Sequence, residues 1–357
     1  MSRFADVALG RPIEAFALTK AFTEDAFPQK INLGVGAYRT DEGKPWVLPV
    51  VREVEKLLAS GETYNKEYLP VLGLESFTNA ATSMLLGHDS PALLNKKAFG
   101  VQCLSGTGAL RVGAEFLAKQ LGSTIFYCSA PSWDLRDAPE NSVIILHACW
   151  KQIADVIEKK HLFPFLDCAY QGFASGDLEK DSWAVRYFVS RGFELFCAQS
   201  FAKNFGLYNE RVGNLTVILN DLSYQQSVKS QFTLLIRGIY STPPLHGASI
   251  VSHVLNNPKL FEQWKGHIRT MSSRIITMRK ALRTALEKIN TPGDWSHITA
   301  QIGMFSYTGL NEQQSERMVK KHHIYMLRSG RINMSGMKPG DVEYIAQAIK
   351  ETLTSVP

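Results

Sequence analysis

The sequence predicts an α/β fold, with a mostly parallel sheet covered by helices on both faces and a smaller α+β domain beside it. Three observations carry that expectation. Short apolar runs alternate with amphipathic helical stretches from Pro49 to Leu219. Polar loops of small residues follow several of those runs, as in Ser105-Gly106-Thr107-Gly108 and Ser200-Phe201-Ala202-Lys203. At 357 residues the chain also exceeds the size at which one core keeps growing, so two domains are expected. Residues 1–12 form an N-terminal arm and 13–47 a part of the small domain. Residues 48–265 form the large domain, and 266–357 the linking helix and the rest of the small domain.

Composition narrows the function classes. The apolar fraction of 45% and charged fraction of 20% are those of a soluble globular protein, and no apolar run approaches a membrane span. The N-terminus, Met1-Ser2-Arg3-Phe4-Ala5-Asp6, has neither the apolar core of a signal peptide nor the character of a transit peptide. A net charge of +6 without a Lys/Arg block suggests anionic small molecules rather than nucleic acid. Cys103, Cys128, Cys149, Cys168 and Cys197 show no metal-type or redox-type spacing, and are expected as buried free thiols in a reducing compartment.

In chain order, Ile13 to Phe22 is a short helix. The segment Ile31-Asn32-Leu33-Gly34-Val35-Gly36-Ala37-Tyr38-Arg39 carries two glycines, suited to backbone that passes something closely or to a plain turn. Pro49 to Ala59 and Leu74 to Leu86 are helical. The strand Phe99 to Leu104 runs into Ser105-Gly106-Thr107-Gly108, which opens an amphipathic helix. Strands follow at Ile125 to Ser129, Val143 to His147, Leu162 to Leu166, Phe193 to Cys197 and Val212 to Leu219, with helices at Trp150 to Lys160 and Asp181 to Arg191. A long helical pattern, Phe261 to Ile289, links the domains. Short strands at Met304 to Tyr307, Ile324 to Leu327 and Arg331 to Met334 then mix with helices at Glu312 to His322 and Asp341 to Leu353.

Polar groups fall where the strands of the large domain end: Ser105, Trp133, Asp167, Ser200 and Lys203. In a parallel sheet those ends share one edge, so the groups converge. A strand, small-residue loop and helix present free N–H groups and a positive dipole end to an anion, although an ordinary serine-capped helix has the same pattern. A lysine held among apolar strands loses its proton more readily and can form a Schiff base with a carbonyl; a loop lysine elsewhere is simply solvated. Together, a lysine, an acid and an anion-binding loop are the parts needed to hold pyridoxal phosphate. Lys203 bonds the aldehyde, Asp167 keeps the pyridinium nitrogen protonated, and Arg211 offers phosphate a planar cationic fork. Trp133 stacks on the ring or fills the core.

The segment Ser-Phe-Ala-Lys-Asn-Phe-Gly-Leu-Tyr-Asn-Glu-Arg-Val-Gly from Ser200 resembles the lysine segment of the aspartate aminotransferases, fold-type I enzymes dependent on pyridoxal phosphate. Further matches are Ile-Asn-Leu-Gly-Val-Gly-Ala-Tyr-Arg, Tyr-Leu-Pro-Val-Leu-Gly-Leu, Ser-Gly-Thr-Gly-Ala-Leu-Arg, Asp-Cys-Ala-Tyr-Gln-Gly-Phe-Ala-Ser-Gly and Ser-Gly-Arg-Ile-Asn-Met-Ser-Gly. The resemblance spans nearly the whole chain and is closest to the animal cytosolic type. It implies a cytoplasmic two-fold homodimer acting on dicarboxylic amino and keto acids, with no nucleic-acid, membrane or metal partner. It implies Lys203 as the Schiff-base lysine and proton carrier, Asp167 at the pyridinium, and Tyr170 at the ring's phenolic oxygen. Ser105, Gly106, Thr107, Ser200 and Arg211 would hold the phosphate, and Tyr68 the partner subunit's phosphate. Arg331 would clamp the α-carboxylate and Arg237 the side-chain carboxylate across the dimer, with Gly36 and Phe305 lining the pocket.

The chain departs from that family in the middle. Trp133 is followed by Asp134, Leu135 and Arg136, where family members carry a histidine that supports the pyridinium aspartate. Cys149 runs directly into Trp150, where the family has an asparagine for the phenolic oxygen. Ala202 stands where serine is usual. The linker Ser132 to Ser142 leaves little room for a crossover helix, so one strand-helix layer is expected to be missing. The chain is therefore expected to capture cofactor but to turn over below a complete member; the alternative is a weak or inactive pseudoenzyme that dimerises. Ser200-Phe201-Ala202-Lys203 also matches S-x-x-K of the β-lactamases, but the accompanying S-D-N and K-T-G elements do not occur.

Overall fold

The computed structural model describes residues 2–10, 12–61, 64–128 and 150–355. Trp133, Cys149, the expected strand Val143 to His147 and the whole of the 132–142 linker lie outside the described residues. The chain forms two compact units, Val47–Arg269 and Met1–Trp46 with Thr270–Pro357.

The elements run α1 (Glu14–Glu24), β1 (Ile31–Asn32), α2 (Pro49–Ser60), α3 (Glu75–Leu86), α4 (Pro91–Leu94), β2 (Ala98–Leu104) and α5 (Ser105–Leu121). They continue with α6 (Trp150–Lys159), β3 (Phe165–Cys168), α7 (Leu178–Ser190), β4 (Leu195–Ser200), β5 (Val212–Ile218), α8 (Gln225–Ile239) and α9 (Leu245–Asn256). Helix α10 (Pro258–Lys288) begins in the first of these units and ends in the second. Last come α11 (Ser296–Ala300), β6 (Phe305–Tyr307), α12 (Glu312–His322), β7 (Ile324–Tyr325), β8 (Arg331–Asn333) and α13 (Val342–Ser355).

The unit over 47–269 is built on a four-stranded sheet of order β2-β5-β4-β3. β4 alternates its side chains between two cores, as a buried strand must. Phe196 and Ala198 pack with Phe116 of α5 and Phe232 of α8, whereas Leu195 and Cys197 pack with Leu85 of α3, Ala154 of α6 and Phe188 of α7. Helices thus cover both faces. β2, β3 and β4 run in one direction, while β5 is antiparallel to both its neighbours. The connection from β4 to β5 spans only Phe201–Arg211, too short for the crossover that a parallel return requires.

Two sequence expectations are corrected here. Residues 125–128 form no strand: α5 stops at Gly122 in the left-handed conformation, and Ile125 and Tyr127 are exposed. β-rich composition makes a strand only against a neighbour, and none among the described residues pairs there. β3 starts later than expected, at Phe165, so Asp167 lies inside the strand rather than beyond it. Leu162 still donates its N–H to Ile157 at the end of α6, and Pro164 has no N–H to give a ladder. The thiols also differ in part: Cys103 and Cys197 are buried, but Cys128 and Cys168 are partly exposed. Helices α8 and α9 carry no assignment from the sequence.

The other unit is α+β, with a parallel pair β1-β7 and an antiparallel pair β6-β8. Asp25, just past α1, accepts from His323 Nδ1 at 2.6 Å and Tyr325 Oη at 2.8 Å. These bonds, with the Phe27 N–H, hold its carboxyl down at about 2. The buried Arg279 gives its guanidinium to the carbonyls of Ile298 and Gly303, which offsets part of the cost of burying its charge; burial still lowers its pKa to about 10. No described helix is long and apolar enough to cross a membrane.

Candidate active site

The register of the sheet decides which groups meet. Leu104 is opposite Val212, Ser200 opposite Gly213, and Cys168 opposite Gln199, so β2, β4 and β3 end at one edge beside the start of β5. Ser105 Oγ lies 3.0 Å from Ser200 Oγ, and both serines are buried. A Cβ on Gly106 would come within 3.2 Å of Ser200 Cβ and 3.9 Å of Asp167 Oδ1. Four of the expected residues, from three strand ends, are therefore within touching distance.

The start of α5 is shaped as an anion cradle. This 17-residue helix has no side-chain N-cap, so its first-turn N–H groups have no partner within the helix. Ser105 takes a positive φ of 63° and donates its own N–H to the Arg211 carbonyl at 3.0 Å. Arg211 is exposed, also at positive φ, and its guanidinium donates to the Tyr208 carbonyl at 3.0 Å. Thr107 is exposed on the first turn. Gly213, on β5, makes this approach possible: a Cβ there would lie 2.3 Å from the Ser105 carbonyl carbon. The sequence carried a signal for it, a glycine inside an apolar strand, which marks close backbone approach. Gly213→Ala is expected to cost about 1–3 kcal/mol and to weaken anion binding at α5. The control is Gly238→Ala, which meets nothing within 4 Å in helix α8. Urea unfolding of the pair, with phosphate titrations, checks this.

Asp167 is exposed to solvent at the end of β3, with protein packed around the rest of its carboxyl. The protein packed around it pushes its carboxyl up to about 6, and no cation among the described residues opposes the shift. Such a carboxyl fits an incoming cation. With the phosphate cradle beside it, the donor set fits pyridoxal phosphate, which combines a ring nitrogen cation with a dianionic arm.

Lys203 is half-buried in the loop between β4 and β5, its Nζ 4.9 Å from the centre of the Tyr208 ring. The backbone around it is fixed. Phe201 donates its N–H to Val212 at 3.1 Å, and Ala202 donates its N–H to Ser200 Oγ at 3.3 Å. The adjacent Asn204 gives Nδ2 to the Gln171 carbonyl at 3.1 Å and accepts from Trp264 Nε1 at 2.9 Å. Phe205 stacks on Trp264 with ring centres 4.5 Å apart. Neither Asn204 nor Gln171 was singled out in the sequence, where single amides in mixed surroundings give no pattern.

The remaining expected residues sit elsewhere. Tyr170 is partly buried just after β3, its carbonyl accepting from Phe173 and Ala174. Tyr68 is 89% exposed in a segment without regular structure. Arg237, also exposed, ends α8 and bonds Ser241 Oγ. Gly36, Phe305 and Arg331 belong to the other unit. There Arg331 stacks its guanidinium 4.2 Å over the Phe305 ring, and Asn333 donates to the carbonyls of Val35 and Ala37 on either side of Gly36. Among the described residues no His, Cys, Asp and Glu cluster could hold a metal ion.

Comparison with known proteins agrees with this geometry. The family described as aminotransferase class I and II matches residues 28–136 and 143–349. The chain is 49% identical over 408 aligned positions to a cytoplasmic aspartate aminotransferase of Gallus gallus, covering 99% of both chains. It is 48% identical to the cytoplasmic enzyme of Caenorhabditis elegans, covering 100% of this chain and 99% of that one. Among solved structures, the aspartate aminotransferase of Saccharomyces cerevisiae cytoplasm superposes with a TM-score of 0.92 at 39% identity, covering 99% of each chain. An aromatic-amino-acid aminotransferase of Burkholderia pseudomallei, covalently bound to pyridoxal phosphate, gives 0.93 at 33% identity, covering 99% of this chain and all of that one. The chain belongs to the aminotransferases of class I and II.

Proposed function

We propose that this chain is an aspartate aminotransferase of the cytoplasm, which uses pyridoxal phosphate to exchange an amino group between L-aspartate and 2-oxoglutarate, giving oxaloacetate and L-glutamate. The observation that carries the reading is the meeting of Ser105, Gly106, Asp167 and Ser200 at the sheet edge where the Lys203 loop begins. When bound, the cofactor supplies an electrophilic aldehyde and a ring that draws electrons from an amino acid's α-carbon.

The protein's part is to bind, orient and move protons. Lys203 Nζ, when neutral, would hold the cofactor through its aldehyde with loss of water, and would move the proton at the substrate's α-carbon. Asp167 holds the proton on the ring nitrogen. Ser105, Gly106, Thr107, Ser200 and Arg211 hold the phosphate, and Tyr170 donates to the phenolic oxygen. Trp133, the residue that would stack on the ring, lies outside the described residues. Arg331 binds the α-carboxylate, with Gly36 and Phe305 beside it. The active unit is a two-fold homodimer in which Tyr68 and Arg237 act in the partner's site. Two arginines at opposite ends favour dicarboxylates, because a neutral side chain would leave one cation unpaired.

Turnover is lower than in a complete relative. The alignment with the Gallus gallus enzyme runs to 408 positions against 357 residues here, and the family match breaks between residues 136 and 143. The segments concerned are those that carry the family's histidine and asparagine beside the ring. Purified chain mixed with pyridoxal phosphate, aspartate and 2-oxoglutarate is expected to show a visible cofactor band and slow oxaloacetate formation. Absence of the band overturns the cofactor assignment; a rate equal to the Gallus gallus enzyme overturns the impairment.

A further inference from the structure

We propose that Gln102 is a positioning residue that sets, from one buried amide, the segments carrying both Tyr68 and Arg237. It lies in the middle of β2 between Val101 and Cys103 and is only 1% exposed. An amide in a strand of apolar neighbours is costly to bury unless both its ends are bonded. Here both are, and to different segments. Oε1 accepts from the Leu74 N–H at 2.9 Å, and Nε2 donates to the Pro244 carbonyl at 2.7 Å. The backbone repeats the arrangement: the Gln102 N–H donates to Leu72 at 2.9 Å, and its carbonyl accepts from Tyr240 Oη at 3.3 Å.

The segment that follows Tyr68 is thereby laid directly on β2. Gly73 takes φ of 103°, and a Cβ there would fall 2.1 Å from Gln102 Cβ, so only glycine lets the chain pass. The segment that follows Arg237 reaches the same amide through Tyr240 and Pro244. A second tie joins the two segments beyond it, between Tyr64 Oη and His246 Nδ1 at 3.3 Å. Glutamine is suited to this place because one side chain offers an acceptor and a donor at fixed separation. Glutamate would set an acceptor against the Pro244 carbonyl, and methionine would leave the Leu74 N–H and that carbonyl bare.

The inference rests on the reading in which Tyr68 and Arg237 reach into the partner's site. If one residue places both arms, its loss weakens recognition of the second carboxylate and the hold on cofactor phosphate, but leaves recognition of the first carboxylate intact. The test uses the full chain loaded with pyridoxal phosphate, as parent, Gln102→Met and Gln102→Glu. Binding of succinate and of propionate is followed by the cofactor's visible spectrum. Amide exchange is measured on the cofactor-free proteins.

Gln102→Met is expected to weaken succinate by about tenfold, the effect of one unsatisfied buried group, and propionate by less than about twofold on the same scale. Exchange should quicken at Leu74 and around 240–246 while the β4-β5 core stays protected. Gln102→Glu keeps the acceptor for Leu74 and should quicken only the 240–246 side; it also serves should the methionine variant fail to fold. An unchanged ratio of succinate to propionate affinity in a folded variant, or an equal loss for both ligands, overturns the positioning role while leaving the aminotransferase reading in place. A parent that shows no cofactor band, or no preference for succinate, overturns the reading and the inference with it.

Discussion

Lys203→Ala is expected to lower transamination by roughly a hundredfold to ten-thousandfold, the range associated with a positioned proton carrier, and to abolish covalent capture of the cofactor. The loop explains why no neighbour takes over. Its backbone is tied to Val212, Ser200 and Trp264, and the Asn204 side chain to the Gln171 carbonyl, so the path of the loop is held on both sides of residue 203. Alanine keeps these loop bonds and removes the side chain that carries the amine, with its contact to Tyr208. Borohydride reduction followed by peptide mass analysis separates the outcomes: the parent should carry the cofactor's added mass on the peptide containing Lys203, and the variant should carry none. Retention of the added mass elsewhere in the variant would remove Lys203 from the assignment. The phosphate grip at α5 is intact in the variant, so non-covalent cofactor binding should persist.

Asp167→Asn is the second large effect, on the order of 3 kcal/mol in cofactor affinity, the lower range for breaking a charge pair taken out of water. Its signature is in the pH dependence. Burial raises this carboxyl to about 6 from 3.8, so the folded, empty chain binds more protons than the unfolded chain between those values. Stability of the empty fold consequently falls as pH rises through that window, since the ionised form is penalised only in the folded state. Cofactor binding supplies the missing cation and selects the ionised form. Affinity should rise by about tenfold per pH unit up to about 6 and then level. The asparagine variant should lack this component, because it has no proton to lose. Equilibrium dialysis of both proteins from pH 4.5 to 8 reads the difference; parallel profiles would show that Asp167 does not face the ring nitrogen.

Much of this arrangement was legible in the sequence, for identifiable reasons. Lys203, Ser105, Asp167 and Ser200 could be placed together because each follows or ends an apolar run, and strand ends share an edge. What escaped was set by partners distant in the chain. The direction of β5 depends on the length of the Lys203 loop rather than on the composition of Val212 to Ile218. The segment 125–128 has strand composition but pairs with no strand among the described residues. Leu162 and Leu166 were joined into one strand, although a helix end and Pro164 separate them. Gln102 is conspicuous only once Leu74 and Pro244, at 28 and 142 residues' distance, are seen on either side of its amide.

β3 has one further consequence. Among the described residues it pairs with β4 alone, so the strand bearing Asp167 is secured by a single ladder, whereas β4 and β5 are secured by two. Opening free energy differs from element to element within a fold, and an outer strand opens without its neighbours. Detachment of β3 would carry Asp167 away while the serine pair and the lysine loop, held on β2, β4 and β5, stay assembled. The residue proposed for the ring nitrogen and those proposed for the phosphate thus stand on strands with different numbers of described neighbours. Amide exchange faster on β3 than on β4 and β5 would show that the first opens while the second stays folded.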